Sequence, residues 1–141
     1  MLSQTRTADP GTTTTQATTL LTRLAESVNT LWQQIEHWPV NTVCAQIDGD
    51  RLVFTASVAL NEARRELIAT DVGYRSALRD LTRALDKIYS PLADAIERSL
   101  HCYVGAMQVD LEPEQSLVVV QFHLREAPGL WRITQPESTC P

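Results

Sequence analysis

One segment of the chain carries a cation at every fourth position. These four side chains, called the basic ridge below, are Arg75, Arg79, Arg83 and Lys87. On a helix they would share one face, where each like-charged pair costs about 0.2–0.5 kcal/mol. Such a ridge can bind an anion, an acidic partner protein or a charged lipid surface. We favour the simpler interpretation, a solvated helix face with local ion pairs from Asp71, Asp80 and Asp86.

Cysteines and histidines are the other residues whose chemistry needs weighing. They are Cys44, Cys102, Cys140, His37, His101 and His123. Structural zinc sites use ligand pairs at C-x₂₋₄-C or H-x₃₋₅-H spacing, and neither spacing occurs. The chain also lacks a G-x-S-x-G elbow and a glycine-rich phosphate loop. We therefore predict no metal, no cofactor and no catalytic residue, although a Cys–His pair formed in space stays open as a route to catalysis.

The number of cysteines also bears on the compartment. Three is an odd and sparse set, which does not suit a disulfide framework, so we predict that all three thiols are free. The first nineteen residues lack the apolar core of a secretion signal, and no apolar run approaches the roughly 18–20 residues of a membrane span. These features predict a cytoplasmic protein without a transmembrane segment. The net charge of −5 argues against nucleic acid as a partner.

Apolar spacing and capping residues predict the first two helices that would position these groups. One runs from about Thr19 to Trp38, where Pro39 disfavours helical geometry in the residue before it. Asn61 is a good N-cap, since its side chain can accept a hydrogen bond from a free amide. It predicts a short helix over about residues 62–69.

A long helix is predicted from about Gly73 to Leu100, with a kink or restart at Pro91. Its apolar residues are spaced four and three apart, as in a heptad repeat. The central ones, called the seam below, are Leu78, Leu81, Leu85, Ile88 and Leu92. Such a helix is about 42 Å long, whereas strands of eight residues span about 26 Å. We therefore predict that a second copy covers part of the seam in a homodimer or larger homo-oligomer, with coverage by the N-terminal helix as the competing explanation.

Alternating apolar residues predict two β-hairpins, at about 40–58 and 102–125. Asp48-Gly49-Asp50 and Glu112-Pro113-Glu114 supply their turns, and we interpret these acidic pairs as turn residues rather than as acid–base or calcium sites. The predicted fold is α+β: a four-stranded sheet made of two antiparallel hairpins, covered by the N-terminal helix and the long helix. The predicted organisation is a disordered Thr-rich lead (1–18), one α+β domain (19–125) and an irregular tail (126–141).

Several short stretches within residues 43–124 resemble a known family. They are residues 50–53, 59–67, Gly73, the set Pro91, Leu92, Ile96 and Glu97, and residues 104–111. In these stretches the chain is similar to the MpsC-like family of small bacterial proteins. Members of that family are described as a component of a sodium-translocating, membrane-potential-generating system. Asn61 stands where that family tends to show Thr, and His101 stands near where it favours Gly after the long helix.

The resemblance implies an accessory protein linked to membrane machinery for sodium or inorganic-carbon uptake, with no established catalytic residues. We therefore predict a non-enzymatic cytoplasmic interaction or regulatory module that self-associates and attaches to a membrane transport complex. The first alternative is a small-anion or metabolite-sensing binding protein. The second is an uncharacterised enzyme that uses Cys44 or Cys102 with a histidine.

Overall fold

The structure, a computed structural model, describes residues 10–125 and 137–140. Three helices and five strands follow one another within these residues. They are α1 (Pro10–Trp32), β1 (Val40–Asp48), β2 (Arg51–Val58), α2 (Glu62–Ile68), α3 (Asp71–Leu100), β3 (Tyr103–Glu112), β4 (Leu117–Arg125) and β5 (Glu137–Ser138). The predicted α+β class and both predicted hairpins are confirmed.

The two hairpins join in one antiparallel sheet through a pairing of β2 with β4. The strand order is β3-β4-β2-β1-β5, so β5 is a short addition beside the four predicted strands. Leu52 lies opposite Phe122 and Phe54 opposite Val120, and all four side chains are buried. Gly49 forms the tight turn of the first hairpin with a φ of 62°, a backbone conformation that glycine adopts without strain.

One face of this sheet is covered by α1 and α3, which also pack against each other. The core therefore lies between a layer of helices and a layer of strands. Its largest fully buried side chains include Leu21, Leu24 and Trp32 from α1, Phe54 and Phe122 from the sheet, and Leu81, Leu85, Leu92 and Ile96 from α3. The rings of Phe54 and Phe122 meet edge to face at 6.1 Å.

The seam of α3 is covered within the single chain. Leu81, Leu85, Ile88 and Leu92 are buried in this core, and Leu78 is partly buried against it. The competing explanation, that the N-terminal helix covers the seam, accounts for this burial, because α1 lies beside α3 over the same sheet. Self-association itself stays a prediction. The heptad pattern correctly indicated burial but not which element provides it.

The N-terminal helix is displaced from its predicted bounds at both ends. It starts at Pro10 instead of Thr19, so residues 10–18 of the predicted lead lie in α1, and proline suits the first helical position. It ends at Trp32 instead of Trp38. After Trp32 the chain turns back on itself. The indole nitrogen of Trp32 therefore donates a buried hydrogen bond of 2.7 Å to the Trp38 carbonyl.

The long helix begins slightly before its predicted start and is continuous. Thr70 is its N-cap, and the threonine hydroxyl accepts a hydrogen bond of 3.0 Å from the Gly73 amide. Pro91 lies inside α3 without dividing it, so of the predicted kink or restart the restart does not occur. At the other end His101 adopts a left-handed conformation, with φ 54° and ψ 48°, and its amide donates to the Glu97 carbonyl.

The described part of the C-terminal tail is ordered on the sheet. β5 pairs antiparallel with β1, with Gln46 opposite Ser138, and a disulfide joins Cys44 to Cys140. The prediction of three free thiols was therefore wrong, because two cysteines separated by 96 residues meet at a sheet edge. Disulfides are typical of oxidising compartments, so the thiol argument for a cytoplasmic location no longer holds.

Two further predictions concern the termini and the membrane. Residues 1–9, 126–136 and 141 lie outside the described residues, and with them the remainder of the predicted lead and most of the predicted tail. Within the described residues, no helix combines the length and apolar character needed to cross a membrane.

Candidate binding groove

The basic ridge lies on the exposed face of α3, as predicted from its spacing. All four of its side chains are exposed. The predicted local ion pairs are not formed: among the described residues, the contact of this kind that occurs is between the His123 imidazole and the Asp50 carboxylate, at 3.5 Å. Arg83 and Lys87 line a surface groove, whereas Arg75 and Arg79 lie outside it. The ridge therefore consists of two residues at the groove, Arg83 and Lys87, and two residues outside it, Arg75 and Arg79.

This groove, of about 600 Å³, is bounded by three segments: α2, α3 and the connector 33–38 that follows α1. Its apolar lining includes Ile35, Trp38, Leu67, Ala77 and Ile88. Its charged lining consists of Arg64, Arg83 and Lys87 with Glu36 and Asp80. Three cations against two carboxylates leave one excess positive charge, not counting His37, which also lines the groove.

Arg64 is the most firmly held of the three cations. It lies in the first turn of α2, where its amide donates a 2.8 Å hydrogen bond to the Asn61 side chain, which confirms the predicted N-cap. Its guanidinium donates a 2.8 Å hydrogen bond to the His37 carbonyl and lies 4.8 Å from the centre of the Trp38 ring. A guanidinium within about 6 Å of a ring centre makes a favourable cation–π contact. These contacts hold Arg64 at the groove before any ligand arrives.

The connector 33–38 forms another wall of the groove. His37 has a φ of 71°, a left-handed conformation that is uncommon for a residue with a side chain. It precedes Trp38, whose ring is buried and whose carbonyl accepts the hydrogen bond from Trp32. The backbone turn therefore presents the His37 carbonyl to Arg64 while the indole of Trp38 packs into the core.

The rim of the groove also carries an exposed apolar side chain. Leu67, in the last turn of α2, is 59% exposed although it is large and apolar. Val72, at the start of α3, is 79% exposed. Isolated exposed apolar residues are ordinary on protein surfaces. Leu67 gains interest only because it borders the same groove as the three cations.

The cysteines and histidines that motivated the enzyme alternative do not form one cluster, although Cys102 lines a surface cavity together with the adjacent His101. Cys44 is held in the disulfide, and Cys102 is a buried free thiol. Burial, with the nearby Glu97 charge, raises the pKa of Cys102, which disfavours its thiolate. Within the described residues, no group of three or more His, Cys, Asp or Glu side chains could hold a metal ion. Of the two cysteines in the enzyme alternative, Cys102 is the one with a free thiol, and that thiol is buried and has a raised pKa.

Sequence reasoning identified two of the groove's cations, Arg83 and Lys87, and missed Arg64. Arg64 carried no signal of its own, because a single arginine in a short helix is common. The adjacent N-cap signal at Asn61 placed the helix but not the surface it faces. The contact between Arg64 and His37 joins residues 27 positions apart, and no local pattern predicts it.

Comparisons of the chain with protein-family models, with curated proteins and with solved structures find no match. The similarity to the MpsC-like family stays a prediction, which these comparisons neither support nor contradict.

Proposed function

We propose that this chain is a non-enzymatic interaction module that binds an acidic segment of a partner protein in the groove. The observation that carries the proposal is Arg64, fixed by the His37 carbonyl and the Trp38 ring beside Arg83 and Lys87. A guanidinium presents paired N–H donors that match a carboxylate, and its fixed position reduces the entropy lost on binding.

The apolar lining of the groove favours a peptide segment with mixed character. Ile35, Ala77 and Ile88 lie beside the cations, and the exposed Leu67 stands at the rim. A segment that places an apolar side chain between two carboxylates would satisfy both parts of the lining. Arginine and tryptophan are also the residues most enriched at the energetic centres of protein interfaces.

The test uses a fluorescently labelled peptide in which a leucine is flanked by glutamates, followed by fluorescence anisotropy. The groove variant combines Arg83→Glu with Lys87→Glu. Its matched control combines Arg75→Glu with Arg79→Glu, which changes the net charge equally on the same helix but outside the groove. We expect the groove variant to weaken binding at least tenfold, which is about 1.4 kcal/mol, and the control to weaken it far less.

Two results would contradict this proposal. Equal weakening by both variants would mean that the ridge acts as a diffuse positive field rather than through the groove. Failure of the wild-type chain to bind the glutamate peptide more tightly than a version with lysines in place of the glutamates would remove the acidic segment as ligand. Thermal unfolding of each variant checks that the fold is retained.

A small-anion or metabolite sensor is the second candidate. The groove volume of about 600 Å³ lies within the range of small-molecule sites, and one preorganised arginine suffices to orient a small carboxylate or phosphate. A thermal-shift series with bicarbonate, phosphate and nucleotides separates the two candidates. A saturable shift that Arg64→Ala abolishes, without peptide binding, favours the sensor.

The partner and the assembly are further parts of the proposal. The similarity to the MpsC-like family supports a place beside a membrane transport system for sodium or inorganic carbon, on the cytoplasmic side, and regulation of that system. Self-association is also proposed, although the buried seam no longer argues for it. Co-purification from the native host tests the association with a transport system. Light scattering coupled to size-exclusion chromatography tests self-association.

A further inference from the structure

The segment 137–140 lies at the edge of the sheet, where β5 pairs with β1 and also lies close to α1. Its strand, β5, contains two residues, which pair with Gln46 and Ile47 of β1. Thr139 adds a 2.7 Å hydrogen bond from its amide to the Ala45 carbonyl, and its hydroxyl accepts one of 2.7 Å from the Ala45 amide. The disulfide between Cys140 and Cys44 follows directly.

Without the disulfide, these hydrogen bonds would be too few to hold the segment. Ordering a residue costs more free energy than a typical backbone hydrogen bond returns in water. Strands in proteins usually contain about five or six residues, and shorter ones depend on other contacts. The covalent bond is therefore the contact that keeps the segment on β1.

The disulfide is placed where a reductant can reach it. Cys44 and Cys140 are both partly exposed. Cys44 precedes the buried Ala45 in β1, and successive side chains of a strand point to opposite faces, so Cys44 lies on the sheet face away from the helices. Neither sulfur belongs to the hydrophobic core.

We propose that the Cys44–Cys140 disulfide is a redox latch that holds the chain's own C-terminal segment on the edge of β1 and releases it on reduction. The reductant is a dithiol. One of its thiolates attacks a sulfur of the disulfide and forms a mixed disulfide, which its second thiol resolves. Cys44 and Cys140 gain two electrons and two protons in total and become thiols, while the dithiol becomes a cyclic disulfide.

Release changes the edge of the sheet but leaves the core in place. The pairings of β1 with β2, β2 with β4 and β3 with β4 do not involve the segment. The backbone amide and carbonyl of Ala45, both bonded to Thr139 in the closed state, become free at an edge strand. An uncovered edge is a surface that natural proteins usually protect. This inference does not depend on the proposed function of the groove.

The experiment is hydrogen exchange of the full chain, oxidised and then reduced with dithiothreitol, without denaturant. We expect the Ala45 amide to exchange at least tenfold faster after reduction, while the Phe54 and Val120 amides of the sheet interior keep their protection. Cys140→Ser should show fast exchange at Ala45 even under oxidising conditions. Cys102→Ala, which leaves the disulfide intact, should behave as the wild type in both states.

Three results would overturn the latch. Unchanged exchange at Ala45 after complete reduction would mean that the segment stays without the bond. Loss of protection at Phe54 and Val120 as well would mean that the disulfide supports the whole fold. Resistance of the native protein to dithiothreitol would make the bond a permanent staple rather than a switch.

Discussion

Gly73 lies where the end of α2 meets the first turn of α3, and the structure leaves no room there for a side chain. A Cβ atom on Gly73 would overlap the carbonyl oxygen of Leu67. It would also lie 2.7 Å from the Leu67 carbonyl carbon and 2.8 Å from the hydroxyl oxygen of Thr70. Two of these three atoms belong to the backbone, so no rotamer change can relieve the overlap. We therefore expect Gly73→Ala to force α2 and α3 apart.

Opposing effects set the size of this change. Alanine is a better helix former than glycine by about 1 kcal/mol, which would stabilise the variant. Overpacking against atoms that cannot yield costs about 1–3 kcal/mol, and sometimes more. Moving Thr70 also weakens the N-cap of α3, which is worth about 1 kcal/mol. The steric and capping terms together exceed the gain in propensity, and we expect the free energy of unfolding to fall by about 2 kcal/mol.

Urea unfolding followed by circular dichroism measures this difference, with an unchanged slope showing that the two-state analysis applies. Gly49→Ala is the matched control, since Gly49 has a φ of 62° but nothing within 4 Å of an added Cβ. It should cost about 1–2 kcal/mol through backbone strain alone. A Gly73→Ala protein as stable as the wild type would show that α2 does not approach α3 as closely as described. The reasoning about the groove wall would then fail as well.

Three further predictions follow from individual contacts. Asn61→Ala should lower the free energy of unfolding by about 1 kcal/mol in the same urea assay, because α2 loses its N-cap. Burial, followed by the Asp110 hydrogen bond and charge, raises the pKa of Tyr74 above 10.0. The folded state thus holds the Tyr74 proton more tightly than the unfolded state does. The stability that Tyr74 contributes is complete below pH 10 and is lost as the pH rises through the raised pKa. Tyr74→Phe should therefore show a smaller loss of stability over that alkaline range. Alkylation of the unfolded chain should modify one cysteine, Cys102, without reductant and three after reduction, as counted by mass spectrometry; three without reductant would contradict the disulfide.

The parts of this fold that were predictable are those whose signal is local. The four long strands alternate buried and solvent-facing side chains because a single face of the sheet is covered, and that alternation is visible in the sequence. The N-cap at Asn61 was predictable for the same reason, since the cap and the amide it binds are three residues apart. The turn at Gly49 needs only the conformational freedom of one residue.

The parts that were missed depend on contacts between distant residues. The disulfide requires Cys140 to fall in register with Cys44 across 96 residues, and only the pairing of β5 with β1 sets that register. The seam of α3 was correctly expected to be buried, but a heptad pattern does not state whether α1 or a second chain covers it. The groove likewise depends on the left-handed His37, which redirects the chain after α1.

The position of Arg64 makes α2 the element on which the groove depends most. α2 has seven residues, of which Ile68 is the buried one. Helices this short have little stability of their own, so tertiary contacts must hold them. Here those contacts are the burial of Ile68 in the core, the close approach at Gly73 and the stacking of Arg64 on Trp38, and the Asn61 cap adds a local contact. Because the cap and the stacking also set the position of the guanidinium, changes that loosen α2 should weaken ligand binding before they unfold the core.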